Sequence, residues 1–167
     1  MQNNGAVDAI WQVLHVKPRC EKKMQEYLAA LLLEHYLPLR CERKVYQRRK
    51  VVAEKPLFPG YVFARFAPNR RALVLKSQLV VRILPVSDQQ RLAGEMAQIR
   101  LALEVNPCLS ACAALARGER ARILEGPLRG MEGIVSVCQG ATRIMLMVET
   151  IGQGVAVEVD PEILERV

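Results

Sequence analysis

The chain has 167 residues, 51% of them apolar, which is enough to bury a core in one domain or two small ones and argues against disorder throughout. A net charge of +7 points to an acidic partner. No apolar run, Leu28–Leu33 included, approaches the roughly 20 residues a membrane helix needs, and the polar stretch Met1–Asp8 lacks the basic and apolar regions of a signal peptide, so a cytoplasmic protein without a membrane partner is expected. In chain order, Ile10–Val16 alternates as a strand, with Trp11, Val13 and His15 on one side and Ile10, Gln12, Leu14 and Val16 on the other. Lys17-Pro18-Arg19 breaks it. Cys20, Met24, Tyr27, Leu28 and Leu31 then recur at helical spacing and predict an amphipathic helix to about Glu34. His35 to Leu39 reads as a second, short strand. The run from Arg40 to Lys50, with six basic residues and one acidic, reads as a solvated hairpin; its cations Arg43, Lys44, Arg48, Arg49 and Lys50 also admit a contact with a polyanion or a protein.

Leu57-Phe58-Pro59-Gly60-Tyr61-Val62-Phe63-Ala64-Arg65-Phe66 packs all three phenylalanines and one of the four tyrosines into ten residues. It predicts a buried strand from Phe58 to Phe66 with a tight bend at Pro59-Gly60. Tyr61, Phe63 and Arg65 share one face, and Val62, Ala64 and Phe66 the other. A short helix from Ala67 to about Lys76 follows, then a strand from Leu79 to Leu84. Ser87 with Gln90 forms a capping-box pattern ahead of a helix whose inner face is Leu92, Met96, Ile99 and Leu103. This order predicts an α+β unit, an antiparallel sheet with packed helices, over residues 9–105. Residues 106–116, small and alanine-rich, read as a linker. Residues 117–167 carry short β patterns with glycine punctuation, at 119–124, 133–138, 143–148 and 155–160, and predict a small all-β barrel.

The charge is divided unequally, with 18 Lys/Arg against 9 Asp/Glu in residues 1–112 and 6 against 8 in residues 113–167, so a polyanion contact belongs to the first unit. Chemistry is poorly represented. His15 and His35 belong to no H-E-x-x-H or H-x-x-x-H pattern, and no nucleophile motif or phosphate loop is present, which argues against an enzyme. The five cysteines, Cys20, Cys41, Cys108, Cys112 and Cys138, are odd in number and form no C-x-x-C pair, which argues against a disulfide framework or zinc ribbon and for buried thiols; no metal or cofactor is implied.

Gly118-Glu-Arg-Ala-Arg-Ile-Leu-Glu-Gly126-Pro127-Leu128-Arg-Gly130-Met-Glu-Gly133-Ile-Val135 resembles a KOW motif, with Gly126-Pro127 at a turn and Gly130 and Gly133 supplying the positive φ or bulge a curved sheet needs. Trp11, the helix after Lys17 and above all Leu57-Phe58-Pro59-Gly60-Tyr61-Val62 resemble the amino-terminal (NGN) domain of the NusG family of transcription elongation factors. The resemblance runs from about Ile10 to Val167. It implies a monomeric elongation and antitermination factor whose first domain binds the clamp helices of RNA polymerase through Phe58 and Tyr61, with Leu57, Pro59 and Trp11 at the edges. It also implies contact with non-template DNA through Lys17, Arg19 and Lys23. In the last KOW hairpin the family's usual Phe-Gly-Arg is replaced by Ile151-Gly152-Gln153, so a contact there with Rho or the ribosome lacks its aromatic residue. The resemblance therefore implies a specialised RfaH-like or UpxY-like paralogue acting at selected operons. A ribosomal or other RNA-binding KOW protein is the alternative, disfavoured by the net negative second unit. The valines Val155, Val157 and Val159 and the turn glycines favour strands over a helical form of that unit.

Overall fold

The structure, a computed structural model, describes residues 8–113 and 118–167. In chain order it contains β1 (Ile10–Val16), α1 (Glu21–Ala30), β2 (Glu34–Tyr36), β3 (Leu39–Tyr46), β4 (Arg49–Pro56), β5 (Tyr61–Phe66), α2 (Arg71–Leu75), β6 (Val80–Leu84) and α3 (Gln89–Val105). These are followed by β7 (Ala111–Ala113), β8 (Arg120–Ile123), β9 (Glu132–Cys138), β10 (Ala141–Val148), β11 (Gln153–Glu158) and β12 (Leu164–Arg166). The fold is α+β, an amino-terminal antiparallel sheet with helices followed by an all-β region. By compactness the described chain forms two units, one of residues up to Leu37 with Phe58–Gln89, the other of Pro38–Leu57 with Gln90–Val167.

In the first unit the sheet order is β2-β5-β1-β6, all neighbours antiparallel. The period-two pattern of β1 and β5 dictates its two faces. Leu14, Val16, Val62, Ala64 and Phe66 are buried on one, and α1, which brings Met24 and Leu28, packs on β2 and β5. The Tyr27 hydroxyl donates to the Leu73 carbonyl at 2.8 Å and ties α1 to α2.

Helix α1 is shorter at both ends than its apolar spacing predicts. Arg19 sits at φ 63 in the turn after Pro18. At the other end Leu32 adopts φ 56, its N–H donating to Ala29 and that of Leu33 to Leu28, the paired bonds of a Schellman cap. A glycine normally takes that left-handed position; here it is a leucine, 92% exposed, so the apolar run continues past the point where the helix stops.

In the second unit β3 and β4 form a two-stranded hairpin, and the all-β region has the order β12-β8-β9-β10-β11-β7. Ile144, Leu146, Val148, Val155 and Val157 are buried, as their alternation predicts. The glycines divide the work differently from the sequence expectation. Gly130 adopts φ +87, whereas Gly133 has no positive φ and instead lies where a Cβ would collide with the Met145 carbonyl. Two strands were not foreseen: β7 falls inside the alanine-rich stretch read as linker and pairs with β11, and β12 pairs with β8. The cysteines also depart from the expectation of buried thiols: Cys108 is exposed, and Cys20, Cys41 and Cys112 are half-buried and free. Burial against Met145 and Gly154 pushes the Cys112 thiol above the ordinary range. The side chain of Cys138 lies outside the described residues.

Candidate functional site

The bend at Leu57–Gly60 is fixed by bonds that reach far along the sequence. Gly60, at φ +87, donates its N–H to a carboxylate oxygen of Glu21 at 2.8 Å, and its carbonyl accepts from the Val16 N–H at 2.8 Å. Glu21 is only 6% exposed, so a buried carboxylate in the first turn of α1 is committed to this one backbone amide. The Leu57 N–H donates to the Pro38 carbonyl at 2.8 Å, and the Tyr61 N–H closes the turn onto Phe58 at 3.2 Å.

These constraints set which side chains face outward. Leu57 and Phe58 are each 1% exposed, the bend turning the Phe58 ring into the interior and leaving Pro59 and Tyr61 as the outward residues of the motif. Strand β5 accordingly begins at Tyr61 and not at Phe58. Phe63 and Phe66 are core, each 1% exposed. Pro59 is exposed and Tyr61 half-buried.

Strand register then assembles a row the linear sequence does not reveal. Antiparallel pairing sets Tyr61 opposite His15 and His15 opposite Arg82, so the three cross the sheet side by side on one face. The Tyr61 and His15 rings stack with centroids 5.3 Å apart. In the next row Tyr36 and Val13 flank Phe63, the Tyr36 ring 6.3 Å from that of Phe63. Trp11, half-buried, lies opposite Arg65, which pairs with Glu34 at 3.2 Å. The alternation of β1 and β5 put Trp11 with His15 and Tyr61 with Phe63; that these are one and the same face, joined by Tyr36, follows only from strand pairing. Alternation held the signal for His15; the pairing of β2 with β5 needed the fold.

Trp11 is also held through its backbone. Its N–H donates to the Gln89 side-chain carbonyl at 2.6 Å, and the Gln89 amide donates to its carbonyl at 2.8 Å, where β6 no longer pairs with β1.

Lys17, Arg19 and Lys23 are all exposed, the first two in the turn between β1 and α1 and the third in the first turn of the helix. None of them makes an ion pair with the described residues. Ile151 and Gly152 lie in the connection from β10 to β11, which Gln153 opens, with Gly152 at φ +61 donating to the Glu149 carbonyl at 3.0 Å. Helix α3 reaches that turn through a polar stripe, Arg91, Glu95 and Gln98. Glu95 accepts from the Glu149 N–H at 3.4 Å and lies 3.4 Å from Arg91 Nε, Arg91 also pairs with the Glu149 carboxylate, and Gln98 accepts from the Glu132 N–H at 3.0 Å.

Burial pushes the Glu95 carboxyl above the usual carboxylate range, against the opposing pull of the Glu149 amide and Arg91. A carboxyl whose folded pKa is raised binds its proton more tightly when folded, so its contribution is fully present below the unfolded value of about 4.5 and is lost as pH rises through the folded pKa. Glu95→Gln keeps the acceptor and removes the titration. Wild type should therefore gain stability relative to this variant as pH falls from 7 toward 4.5, read as urea midpoints; parallel profiles would contradict the assignment.

Among the described residues no group of three or more His, Cys, Asp or Glu is gathered to hold a metal, and no helix is long and apolar enough to cross a membrane. What the first unit offers is a half-buried aromatic surface flanked by cations, which suits binding.

Comparison with known proteins agrees with this character. A family model described as "Transcription termination factor nusG" matches residues 9–100. The transcription termination/antitermination protein NusG of Borreliella burgdorferi is 22% identical over 187 aligned residues, spanning 94% of this chain and 98% of that protein. A solved structure described as "Domain interaction in Thermotoga maritima NusG" superposes with a TM-score of 0.54 at 18% identity, covering 98% of this chain and 99% of that one, a likeness of fold.

Proposed function

Because the chain belongs to the NusG family, whose members are transcription termination and antitermination factors and not enzymes, we propose that it rides on RNA polymerase through the aromatic surface of its first unit and suppresses pausing or termination at selected operons. The observation that carries this reading is the Tyr61–His15 stack beside exposed Pro59 and half-buried Trp11. The clamp helices of polymerase's largest subunit present a helical hairpin, and an aromatic ring with a polar tip at the centre of an apolar patch is the anchor such a partner requires. Leu57 and Phe58 are buried in the bend that leads into Tyr61.

In the same reading residues 9–105 form the NGN domain, 106–116 the connection and 117–167 the KOW domain. Lys17, Arg19 and Lys23 contact non-template DNA, whose phosphates need fixed positive charge. The Ile151-Gly152-Gln153 turn supplies the KOW partner contact, with the ribosome as the candidate, and lacks the aromatic residue of general factors, which favours a specialised role. The chain works in the cytoplasm as a monomer.

The test is affinity capture with the full chain. RNA polymerase should be retained, and ribosomal subunits retained without polymerase would overturn the reading. Charge reversal of Lys17, Arg19 and Lys23 together should abolish recruitment to a specific DNA element and leave polymerase capture unchanged. Loss of both at once would mean that the patch is structural.

A further inference from the structure

The β3–β4 hairpin is the largest feature that the polymerase reading leaves without a task. Among the described strands β3 and β4 form a ladder only with each other, through eight paired positions from Leu39↔Pro56 to Tyr46↔Arg49. Its base is well held: the Cys41 N–H donates to the Pro107 carbonyl at 2.7 Å, and Glu42 gathers Lys55 at 2.5 Å, Lys44 at 3.2 Å and Arg40 at 3.5 Å. The outer half is bare, every residue from Arg43 to Val52 being exposed.

That outer half has an unusual make-up. It carries Arg43, Lys44, Arg48, Arg49 and Lys50 and no acidic residue. Pairing sets these cations directly beside large apolar side chains: Val52 opposite Arg43, Val51 opposite Lys44, Lys50 opposite Val45 and Arg49 opposite Tyr46. Val45 and Tyr46 are each 71% exposed, Val52 62% and Val51 47%. The tip is a two-residue turn with both residues at positive φ, Gln47 at 44 and Arg48 at 66, where glycine or asparagine would be unstrained. Arg48 thus holds a cation at the extremity of the ribbon at a conformational cost.

A merely solvated ribbon has no use for four exposed apolar residues, and the core of a protein interface excludes charge. Lys44 is balanced by Glu42, but Arg43, Arg48, Arg49 and Lys50 make no ion pair with the described residues and call for a polyanion, and the apolar residues between them call for one with an apolar floor. A two-stranded ribbon fits the B-DNA major groove, about 12 Å wide, where thymine methyl groups offer that floor; the major groove of A-form RNA is too deep and narrow for side chains to read. We propose that the β3–β4 hairpin is a duplex-DNA-binding ribbon that enters the major groove tip first, with Arg43, Arg48, Arg49 and Lys50 on the phosphates and Tyr46, Val45 and the facing valines against base edges. This surface is separate from Lys17, Arg19 and Lys23 and does not depend on the polymerase reading.

The experiment is fluorescence anisotropy of the full chain with a labelled 25-base-pair DNA duplex over a salt series, beside the single strand, a duplex RNA of the same sequence and phosphatidylserine vesicles. Wild type should bind duplex DNA more tightly than the other three. Arg48→Gln/Arg49→Gln/Lys50→Gln should weaken duplex binding by at least tenfold at low salt and flatten the log–log salt slope by about 2 to 3. Val45→Ser/Tyr46→Ser should weaken it severalfold with the slope unchanged. Both variants alter exposed positions and should keep the wild-type circular dichroism and polymerase capture. The proposal is overturned if either variant binds the duplex as wild type does, if RNA or single strand competes equally, or if vesicles alone are bound.

Discussion

Tyr61→Ala should weaken capture of RNA polymerase by about thirtyfold, the roughly 2 kcal/mol expected of a central aromatic anchor, while leaving a folded chain. The reasoning is local. Tyr61 is half-buried, its ring stacks on His15 on the outward face, and truncation removes contact area at the surface without opening a cavity in the interior. Titration of immobilised polymerase with wild type and variant, alongside urea melts of both, measures the two quantities. A variant that binds polymerase as wild type does would remove the aromatic surface from the proposed function.

Phe58→Ala should behave in the opposite way, lowering stability by about 3–5 kcal/mol and affecting polymerase only as far as the fold is lost. Phe58 is among the largest fully buried side chains, and its neighbour Leu57 is buried equally. The loss is a large share of the roughly 5–15 kcal/mol that holds a domain of this kind together. Chemical denaturation read through Trp11 fluorescence gives the value. If Phe58→Ala keeps its denaturation midpoint and yet fails to hold polymerase, the ring is an interface residue after all and the bend must open on binding.

The contrast between these two aromatic residues shows what was legible in the sequence. Alternation in β1 and β5 is a property of the strand itself, so the shared face of Trp11, Val13 and His15, and that of Tyr61, Phe63 and Arg65, could be read directly. The bend at Pro59-Gly60 could be read as well, but the direction in which it turns Phe58 could not. Whether Phe58 points in or out depends on Glu21 gripping the Gly60 amide and on Pro38 receiving the Leu57 amide, and nothing near those residues announces either bond. Strand β7 was hidden for a related reason. Ala111, Cys112 and Ala113 have little strand preference of their own, and pairing with Gln153, Gly154 and Val155 makes them a strand. The early stop of α1 was illegible because Leu32 takes the left-handed position that a glycine would have advertised.

The Gln89 side chain meets both backbone groups of Trp11 at the point where β6 has ended, and so completes the ladder of β1 with one residue's amide in place of a strand. Sheet margins left open invite strands from other chains, the first step of edge-to-edge aggregation. Gln89 therefore serves as a plug. Any change that unwinds the first turn of α3 would uncover a hydrogen-bonding margin on β1, and the solubility of the whole chain would then hang on one glutamine side chain.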